Sequence, residues 1–360
     1  MWIALLPSRR AQLTLLGVGG IAASLLILRR RLRRRPVVRV PYDEFSMFHE
    51  NAKEHGLPFD HPPTVRRERV RMPDGRSLSA LVWGEGPPEM VLLHGGAQNA
   101  HTWDTVALGL GGRPLLCVDL PGHGHSDNSA RGVSDPAAAA ADLAVLIEAL
   151  APAASAVVGM SFGGLTAIEL GAQRPELARR LVLVDITPGV TRSKAKHVVD
   201  FVNGPRAFSS FDEMLARTIR YNPTRSESSL RRGILHNALQ LEDGSWVWRH
   251  ARFRGKGHAA QQPVEYSRLW DKLGGTKAPV MLVRGMRPTS VVDGALLWGA
   301  SVFARAPPPA RPHPPGLRLP PPDSTRSPCA SRLPRRRYRR GGASATAAIH
   351  PDRTDSRGGS

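Results

Sequence analysis

The chain has 360 residues, of which 41% are apolar, so it is long enough for one large domain or two ordinary domains with a substantial core. Its formal net charge of +20 would normally favour a nucleic-acid or membrane partner. However, residues 1–40 hold nine arginines and no acid, and residues 294–360 hold twelve arginines and three aspartates, so each end carries +9 and the middle only +2. The nearly neutral charge of the middle of the chain therefore does not support a nucleic-acid-binding surface on the folded core.

Metal-binding and disulfide signals are missing from the sequence. The two cysteines, Cys117 and Cys329, are too few for a disulfide framework. No group of cysteines and histidines has the spacing of a zinc site. We therefore expect neither a metal ion nor another cofactor.

The N-terminal segment is basic and contains one apolar run. Residues 11–28 carry no charge, and their length is at the lower limit for a spanning helix. An arginine cluster follows at 29–35, and with the positive charge on that side a single span would leave the rest of the chain in the cytoplasm. Two interpretations remain open: a membrane anchor, or an N-terminal extension that precedes a true start at Met47. Either way, residues 1–46 lie outside the folded domain and the protein is expected to be cytoplasmic, tethered to the membrane in the first case.

Short apolar segments alternate with helical patterns through the middle of the chain. Alternating residues at 65–72 and 78–83, joined by Pro73-Asp74-Gly75, predict an antiparallel hairpin. This order of elements predicts an α/β fold with a mostly parallel sheet covered by helices on both faces. The further strands are predicted from the runs that begin at Met90, Leu115, Val157, Leu181 and Val280, and a helix from Pro136 to about Leu150.

One of these strands leads into a catalytic motif. Gly159-Met160-Ser161-Phe162-Gly163 matches Gly-x-Ser-x-Gly between an apolar strand and an amphipathic segment, which predicts a nucleophile elbow. The two glycines leave room for a strained serine backbone, so Ser161 is the predicted nucleophile. His94-Gly95-Gly96, Asp119 and Asp185 also follow predicted strands, and such sheets bind ligands at the carboxyl ends of their strands.

The pattern changes in two later segments. Residues 190–270 predict helices and loops that are inserted as a lid. From residue 294 onward the chain is rich in proline and arginine and cannot bury enough apolar surface to offset the entropy of ordering, so we expect residues 294–360 to be disordered. An out-of-frame translation is an alternative explanation of that composition. The folded domain is therefore predicted to span residues 47–293.

Taken together, these blocks resemble the α/β-hydrolase superfamily over about residues 65–293. The resemblance depends on four blocks: His94-Gly95-Gly96 with Trp103, Asp119 to Ser126, the elbow, and Leu183-Val184-Asp185. It implies an eight-stranded sheet, a lid after the sixth strand, and a triad of serine, acid and histidine in that chain order. It also implies that the main-chain N–H groups of Gly96 and Phe162 form the oxyanion hole for Ser161.

The resemblance leaves the acid and the base open. Asp185 follows the sixth strand, where one branch of the family places its acid, although it also has the alternative role of a helix N-cap. Asp293 lies beyond the turn where other members place the acid. The sequence departs from the family at the histidine, because His313 and His350 follow no recognisable strand and His258 precedes the seventh strand.

These observations predict a serine hydrolase that cleaves carboxylic esters through an acyl-enzyme on Ser161, acts on a small ester-like molecule and needs no cofactor. The apparent lack of the last strand and of the catalytic histidine would impair that activity. The alternative is a non-catalytic or truncated α/β-hydrolase domain that binds a small apolar ligand.

Overall fold

A computed structural model of the protein describes residues 37–129, 135–190, 192–250, 266–285 and 291–292. The membrane anchor expected at 11–28 and the disordered tail expected at 294–360 lie outside these residues, so both stay predictions. Among the helices of the described part, none is long and apolar enough to cross a bilayer.

The strands form one large sheet and one small sheet. In chain order they are β1 (Val65–Arg71), β2 (Ser77–Trp83), β3 (Met90–Leu93), β4 (Leu115–Asp119), β5 (Ala156–Met160), β6 (Leu181–Val184), β7 (Ala207–Phe208), β8 (Ala238–Gln240), β9 (Trp246–Trp248) and β10 (Val280–Val283). The large sheet has the order β1-β2-β4-β3-β5-β6-β10 over the described residues. β1 and β2 form the predicted hairpin, and from β4 to β10 every neighbouring pair is parallel. An eighth strand would fall after β10, outside the described residues.

Helices occupy both faces of the large sheet, as predicted. In chain order, the described helices are α1 (Phe48–His55), α2 (Asp104–Gly109), α3 (Pro136–Leu150), α4 (Phe162–Gln173), α5 (Arg192–Val202), α6 (Phe211–Tyr221), α7 (Glu227–Asn237) and α8 (Leu269–Gly275), with a 3₁₀ turn at Ala100–Trp103 before α2. Of these, α5, α6 and α7 belong to the segment between β6 and β10 and not to the layers that cover the sheet. α3 begins where the sequence indicated, because Asp135 Oδ1 accepts a hydrogen bond from the N–H of Ala137 and Pro136 is the first helical residue.

The two faces are built by the alternation of side chains along the strands. On β4, Leu116 and Val118 belong to the core that contains α3 and α4, whereas Leu115 and Cys117 belong to the core that contains α1. Successive side chains of a strand point to opposite faces, so a strand that is apolar throughout must be covered twice. This is the physical reason for the layered architecture.

Residues 192–250, which we call the insert, lie between β6 and β10 in the chain and contain α5, α6 and α7. The sequence predicted only helices and loops here, and this was incomplete, because β7, β9 and β8 form a small antiparallel sheet. The insert has its own apolar core, which includes Phe208, Met214, Ile234 and Trp246. Tyr42 and Met47 pack against that core, so described residues on both sides of the expected boundary at residue 47 contact the insert.

Candidate active site

Ser161 occupies the sharp turn that the sequence predicted. It directly follows β5, and α4 begins at the next residue. Its backbone has φ 51° and ψ −119°, and residues other than glycine rarely adopt such a positive φ. The surrounding structure therefore holds the Ser161 backbone in a strained conformation. The main-chain carbonyl of Ser161 accepts hydrogen bonds from the N–H groups of Gly164 (2.9 Å) and Leu165 (3.2 Å).

The elbow requires glycine at both flanking positions. A Cβ atom on Gly159 would lie 2.4 Å from the carbonyl oxygen of Gly163, and a Cβ on Gly163 would lie 2.4 Å from the carbonyl oxygen of Leu93. Both clashes are with main-chain atoms, which cannot move without displacing a strand or a helix. The two glycines of the motif are therefore required by packing, in addition to marking the turn that carries the catalytic serine.

We expect Gly163→Ala to destabilise the protein by more than about 2 kcal/mol, because overpacking of a rigid site costs roughly 1–3 kcal/mol and here the contact is with main chain. The measurement is urea unfolding followed by circular dichroism. Gly233→Ala in α7 is the matched control, since no atom lies within 4 Å of its added Cβ. It should be neutral or slightly stabilising, by up to about 1 kcal/mol. Equal unfolding midpoints for the two variants would contradict the packing argument.

The loop after β3 lies against the elbow. A Cβ on Gly95 would lie 3.3 Å from Ser161 Cβ, and a Cβ on Gly96 would lie 4.0 Å from Phe162 Cβ. Phe162 is the first residue of α4, so its N–H has no acceptor within the helix. The structure therefore brings together the two residues that were predicted to supply the oxyanion hole, while their role stays a prediction.

Asp185 is placed at the same edge of the sheet, directly after β6. Its carboxylate Oδ1 accepts a hydrogen bond from the N–H of Gly285 (2.9 Å), and its own N–H donates to the carbonyl of Val283 (2.7 Å). It also has a positive φ of 50°. The alternative role as a helix N-cap is wrong, because residues 186–190 are not helical.

The candidates for the catalytic base lie outside the described residues. His258, His313, His350 and the alternative acid Asp293 all lie outside them. In the part of the chain that the structure describes, no histidine is hydrogen-bonded to Ser161.

The motif histidines His94 and His123 have structural roles. His94 Nε2 accepts from the N–H of Leu120 (3.0 Å), so its Nδ1 carries the proton and donates to the carbonyl of Gly95 (2.7 Å). His123 Nδ1 donates to the carbonyl of Pro121 (2.9 Å). Burial lowers the pKa of both imidazoles. Both are therefore neutral groups that hold loops together.

These neutral histidines predict acid lability. An unfolded histidine binds a proton near pH 6.5, whereas the folded His94 and His123 resist protonation, so stability is complete above about pH 6.5 and is lost as the pH falls. We expect the urea midpoint to fall between about pH 6.5 and pH 4.5. His123→Asn, which keeps a donor for Pro121, should flatten this dependence, whereas the exposed control His61→Asn should not. Equal slopes in all three proteins would refute the assignment.

Asp119, at the end of β4, is an anchor for the surrounding loops. Its Oδ2 pairs with Arg67 Nη1 (2.7 Å), and its Oδ1 accepts from the N–H of Ala100 (2.8 Å). Burial would raise the pKa of this carboxyl, but Arg67 and the main-chain amides outweigh burial and lower it. The side chain is fully buried.

We expect Asp119→Asn to destabilise the fold by about 3 kcal/mol or more, because removing one member of a buried ion pair leaves the other charge poorly compensated. Glu68→Gln on β1 is the control, since Glu68 forms a pair with Arg66 in which the side chains are 37% and 56% exposed. Its expected cost is below about 1 kcal/mol. Urea unfolding measures both, and similar losses would show that burial does not determine the strength of these pairs.

A cavity of about 220 Å³ opens beside the loop that holds Gly96. Most of its lining comes from the insert. The apolar part of that lining includes Phe201, Leu230, Ile234 and Trp248.

A covered, mostly parallel sheet with a serine on a strained turn at the carboxyl ends of its strands is the arrangement of an α/β hydrolase. The comparison with protein families agrees, because residues 88–268 match the model of the alpha/beta hydrolase fold. The chain belongs to this family.

Its relatives include named esterases. The chain is 44% identical over 257 residues to esterase Rv0045c of Mycobacterium tuberculosis, a match that covers 70% of this chain and 82% of that protein. The crystal structure of that esterase superposes with a TM-score of 0.58 and covers 69% of this chain and 82% of its own. A pimeloyl-[acyl-carrier protein] methyl ester esterase of Nitrosomonas europaea is 31% identical over 239 residues, which cover 64% of this chain and 88% of that protein.

Proposed function

We propose that the protein hydrolyses small carboxylic esters, with Ser161 as the nucleophile. The observation that carries the proposal is the conformation of Ser161, on a positive-φ turn between β5 and α4 with the Gly95-Gly96 loop packed against it. The named relatives support the reaction class, because both act as esterases.

In the proposed mechanism, Ser161 Oγ attacks the ester carbonyl while a base removes its proton. The N–H groups of Gly96 and Phe162 stabilise the negative charge that develops on the carbonyl oxygen, and one such donor is typically worth ~10²–10³ in rate. The protonated base gives its proton to the departing alcohol, which leaves an acyl group on Ser161. The base then takes a proton from water, which attacks the acyl group, and returns that proton to Ser161 Oγ as the acid is released. Asp185 orients the imidazole base, for which His258, His313 and His350 are the candidates.

The insert is proposed to act as a lid over the site. Its residues line most of the cavity beside Gly96, and the aromatic and aliphatic part of that lining would bury the apolar portion of an ester. This favours substrates with a small apolar group next to the scissile bond.

The test is covalent labelling together with turnover. The full chain is incubated with a fluorophosphonate, which labels activated serines, and mass spectrometry locates the modified residue. We expect stoichiometric labelling of Ser161 and hydrolysis of short p-nitrophenyl esters. Labelling by the fluorophosphonate should stop the hydrolysis, and an excess of ester should protect Ser161 from labelling. Labelling at another serine, or turnover that survives complete labelling of Ser161, would exclude the mechanism.

A second function is a non-catalytic domain that binds a small apolar ligand. The observation in its favour is in the sequence, where no histidine follows a recognisable strand at the place of the family's catalytic histidine, and without a base the hydroxyl is a weak nucleophile. This alternative predicts that apolar esters bind and quench tryptophan fluorescence, for example at Trp248 in the cavity, without being hydrolysed. Turnover at Ser161 would rule it out.

A further inference from the structure

A buried group of polar side chains lies where the insert meets the main domain, outside the elbow. We call it the polar cluster, and it consists of Tyr42, Glu44, Arg67, His101, Asp104 and His236. His101 and Asp104 belong to the 3₁₀ turn and α2 of the main domain, and His236 belongs to α7 of the insert. The ester-hydrolysis mechanism uses none of these side chains.

The charged side chains of the polar cluster form a continuous chain of contacts. Asp119 contacts Arg67 (2.7 Å), Arg67 contacts Glu44 (2.6 Å), Glu44 contacts His101 (3.3 Å), and His101 contacts Asp104 (2.8 Å). Burial lowers the pKa of His101, but Asp104 and Glu44 outweigh burial and raise it to about 9. The carboxylates of Asp119, Glu44 and Asp104 therefore share one network with Arg67 and His101.

One carboxylate oxygen of this network, on Asp104, has no hydrogen-bond donor among the described residues. The side chain of Asp104 is only 6% exposed, and the oxygen without a donor is the buried Oδ1. A buried carboxylate oxygen without a donor is costly, and in native proteins it usually faces water or an ion. A polar cavity of about 310 Å³ adjoins it, lined by Asp104, His101 and His236 and by the amide side chains of Asn51 and Asn99.

Two imidazoles stand next to this oxygen. His101, Asp104 and His236 are all buried and each offers a ligand atom within 4.8 Å of the other two. The rings of His101 and His236 are stacked, with centroids 3.7 Å apart. Bonds of about 2.1 Å to a metal ion hold ligand atoms roughly 3.4 Å apart. Coordination would therefore bring His236 Nε2 closer to Asp104 Oδ2 (now 3.8 Å), move His101 Nδ1 away from it (now 2.8 Å) and splay the two rings.

Both imidazoles already have the outer partners that metal ligands require. If His101 coordinates through Nδ1, its Nε2–H faces the carboxylate of Glu44 (3.3 Å). If His236 coordinates through Nε2, its Nδ1–H donates to Tyr42 Oη (2.9 Å). A histidine ligand usually donates its second ring N–H to a carboxylate or another oxygen, which fixes the tautomer and the ring orientation.

We propose that His101, Asp104 and His236 bind a divalent first-row transition-metal ion, represented by Zn²⁺, and that this ion joins the insert to the main domain. Two imidazoles and a carboxylate are ligands that suit Zn²⁺, and the cavity has room for water in the remaining position. The proposal is independent of the proposed ester hydrolysis.

The experiment measures binding of Zn²⁺ to the full, chelator-treated chain by competition with a chromophoric chelator. Asp104→Asn and His236→Gln keep the size and polarity of the original side chains, and each should weaken binding at least about tenfold, since each removes one ligand. His55→Gln is the matched control, because His55 lies at the end of α1, outside the polar cluster, and its Nδ1 bonds to the carbonyl of Asn51 (3.0 Å). Its binding should equal that of the unmodified chain, and so should that of Ser161→Ala.

Co²⁺ provides a second measurement that needs no variant. In the unmodified chain we expect the intense visible absorption of Co²⁺ in a four- or five-coordinate site with nitrogen ligands, together with a higher unfolding temperature when Zn²⁺ is added. The proposal is overturned if folded Asp104→Asn and His236→Gln bind Zn²⁺ as tightly as the control. If these variants do not fold, a weak six-coordinate Co²⁺ spectrum of the unmodified chain overturns it. Loss of binding in Ser161→Ala alone would place the ion at the elbow and also refute it.

Discussion

Ser161→Ala should lower kcat/KM for short p-nitrophenyl esters by ~10³–10⁶, which leaves only the rate that binding and the oxyanion hole supply. The reason is that no acyl-enzyme can form without the hydroxyl, so the substitution removes the reaction path and leaves the binding surface intact. Because β5 and α4 continue on either side of residue 161, the fold should be retained, and alanine removes only an oxygen from the turn.

Ser155→Ala is the matched control for this prediction. Ser155 directly precedes β5, and its exposed hydroxyl donates to the carbonyl of Glu89 (3.1 Å). Its activity should equal that of the unmodified protein, measured by release of p-nitrophenol under first-order conditions. Comparable rates for Ser161→Ala and Ser155→Ala would mean that the hydrolysis takes place elsewhere, and would remove the elbow from the mechanism.

Asp185→Asn should lower kcat by a factor of up to about 10⁴, the second large effect that we expect. Asparagine can still accept the hydrogen bond from Gly285, so the position of the side chain at the ends of β6 and β10 should be kept. What is lost is the negative charge that stabilises the imidazolium formed when Ser161 attacks. The loss should therefore appear in kcat with little change in KM.

The control here is Asp74→Asn, in the exposed turn between β1 and β2, where Asp74 pairs with Arg76 (2.7 Å). We expect unchanged kinetics for this variant. If Asp185→Asn is as active as Asp74→Asn, the acid must be another carboxylate, and Asp293 becomes the candidate to substitute next. If both Asp185→Asn and Asp293→Asn are active, the carboxylate has no part in the reaction.

The sequence was sufficient for the layered sheet and the elbow because both depend on local patterns. Apolar runs of four or five residues bounded by turn residues are typical of buried strands, and a serine between two glycines at the end of such a run is typical of a nucleophile elbow. The loop with Gly96 was placed correctly for the same reason, since parallel strands end at one edge of a sheet.

Other features depend on side chains that are distant in the sequence. The small sheet of β7, β9 and β8 was missed because two or three residues per strand carry no clear alternation. His101, Asp104 and His236 were not recognised as a group because metal-site patterns are read from short spacings, whereas here α7 brings its histidine to α2. The signal that was available was the pair His101 and Asp104, three residues apart, which is also a common structural pair.

By itself, the sequence determined the class of fold, the turn that carries Ser161 and the edge of the sheet where Asp185 stands, because the periods of strands and helices and the steric needs of glycine act over a few residues. Only the tertiary structure decided which buried charges meet, which residues of the insert line the cavity, and that an oxygen of Asp104 has no hydrogen-bond partner among the described residues. These outcomes depend on the packing of segments far apart in the chain, and burial decides whether a charged side chain is a solvated surface group or one that needs a partner.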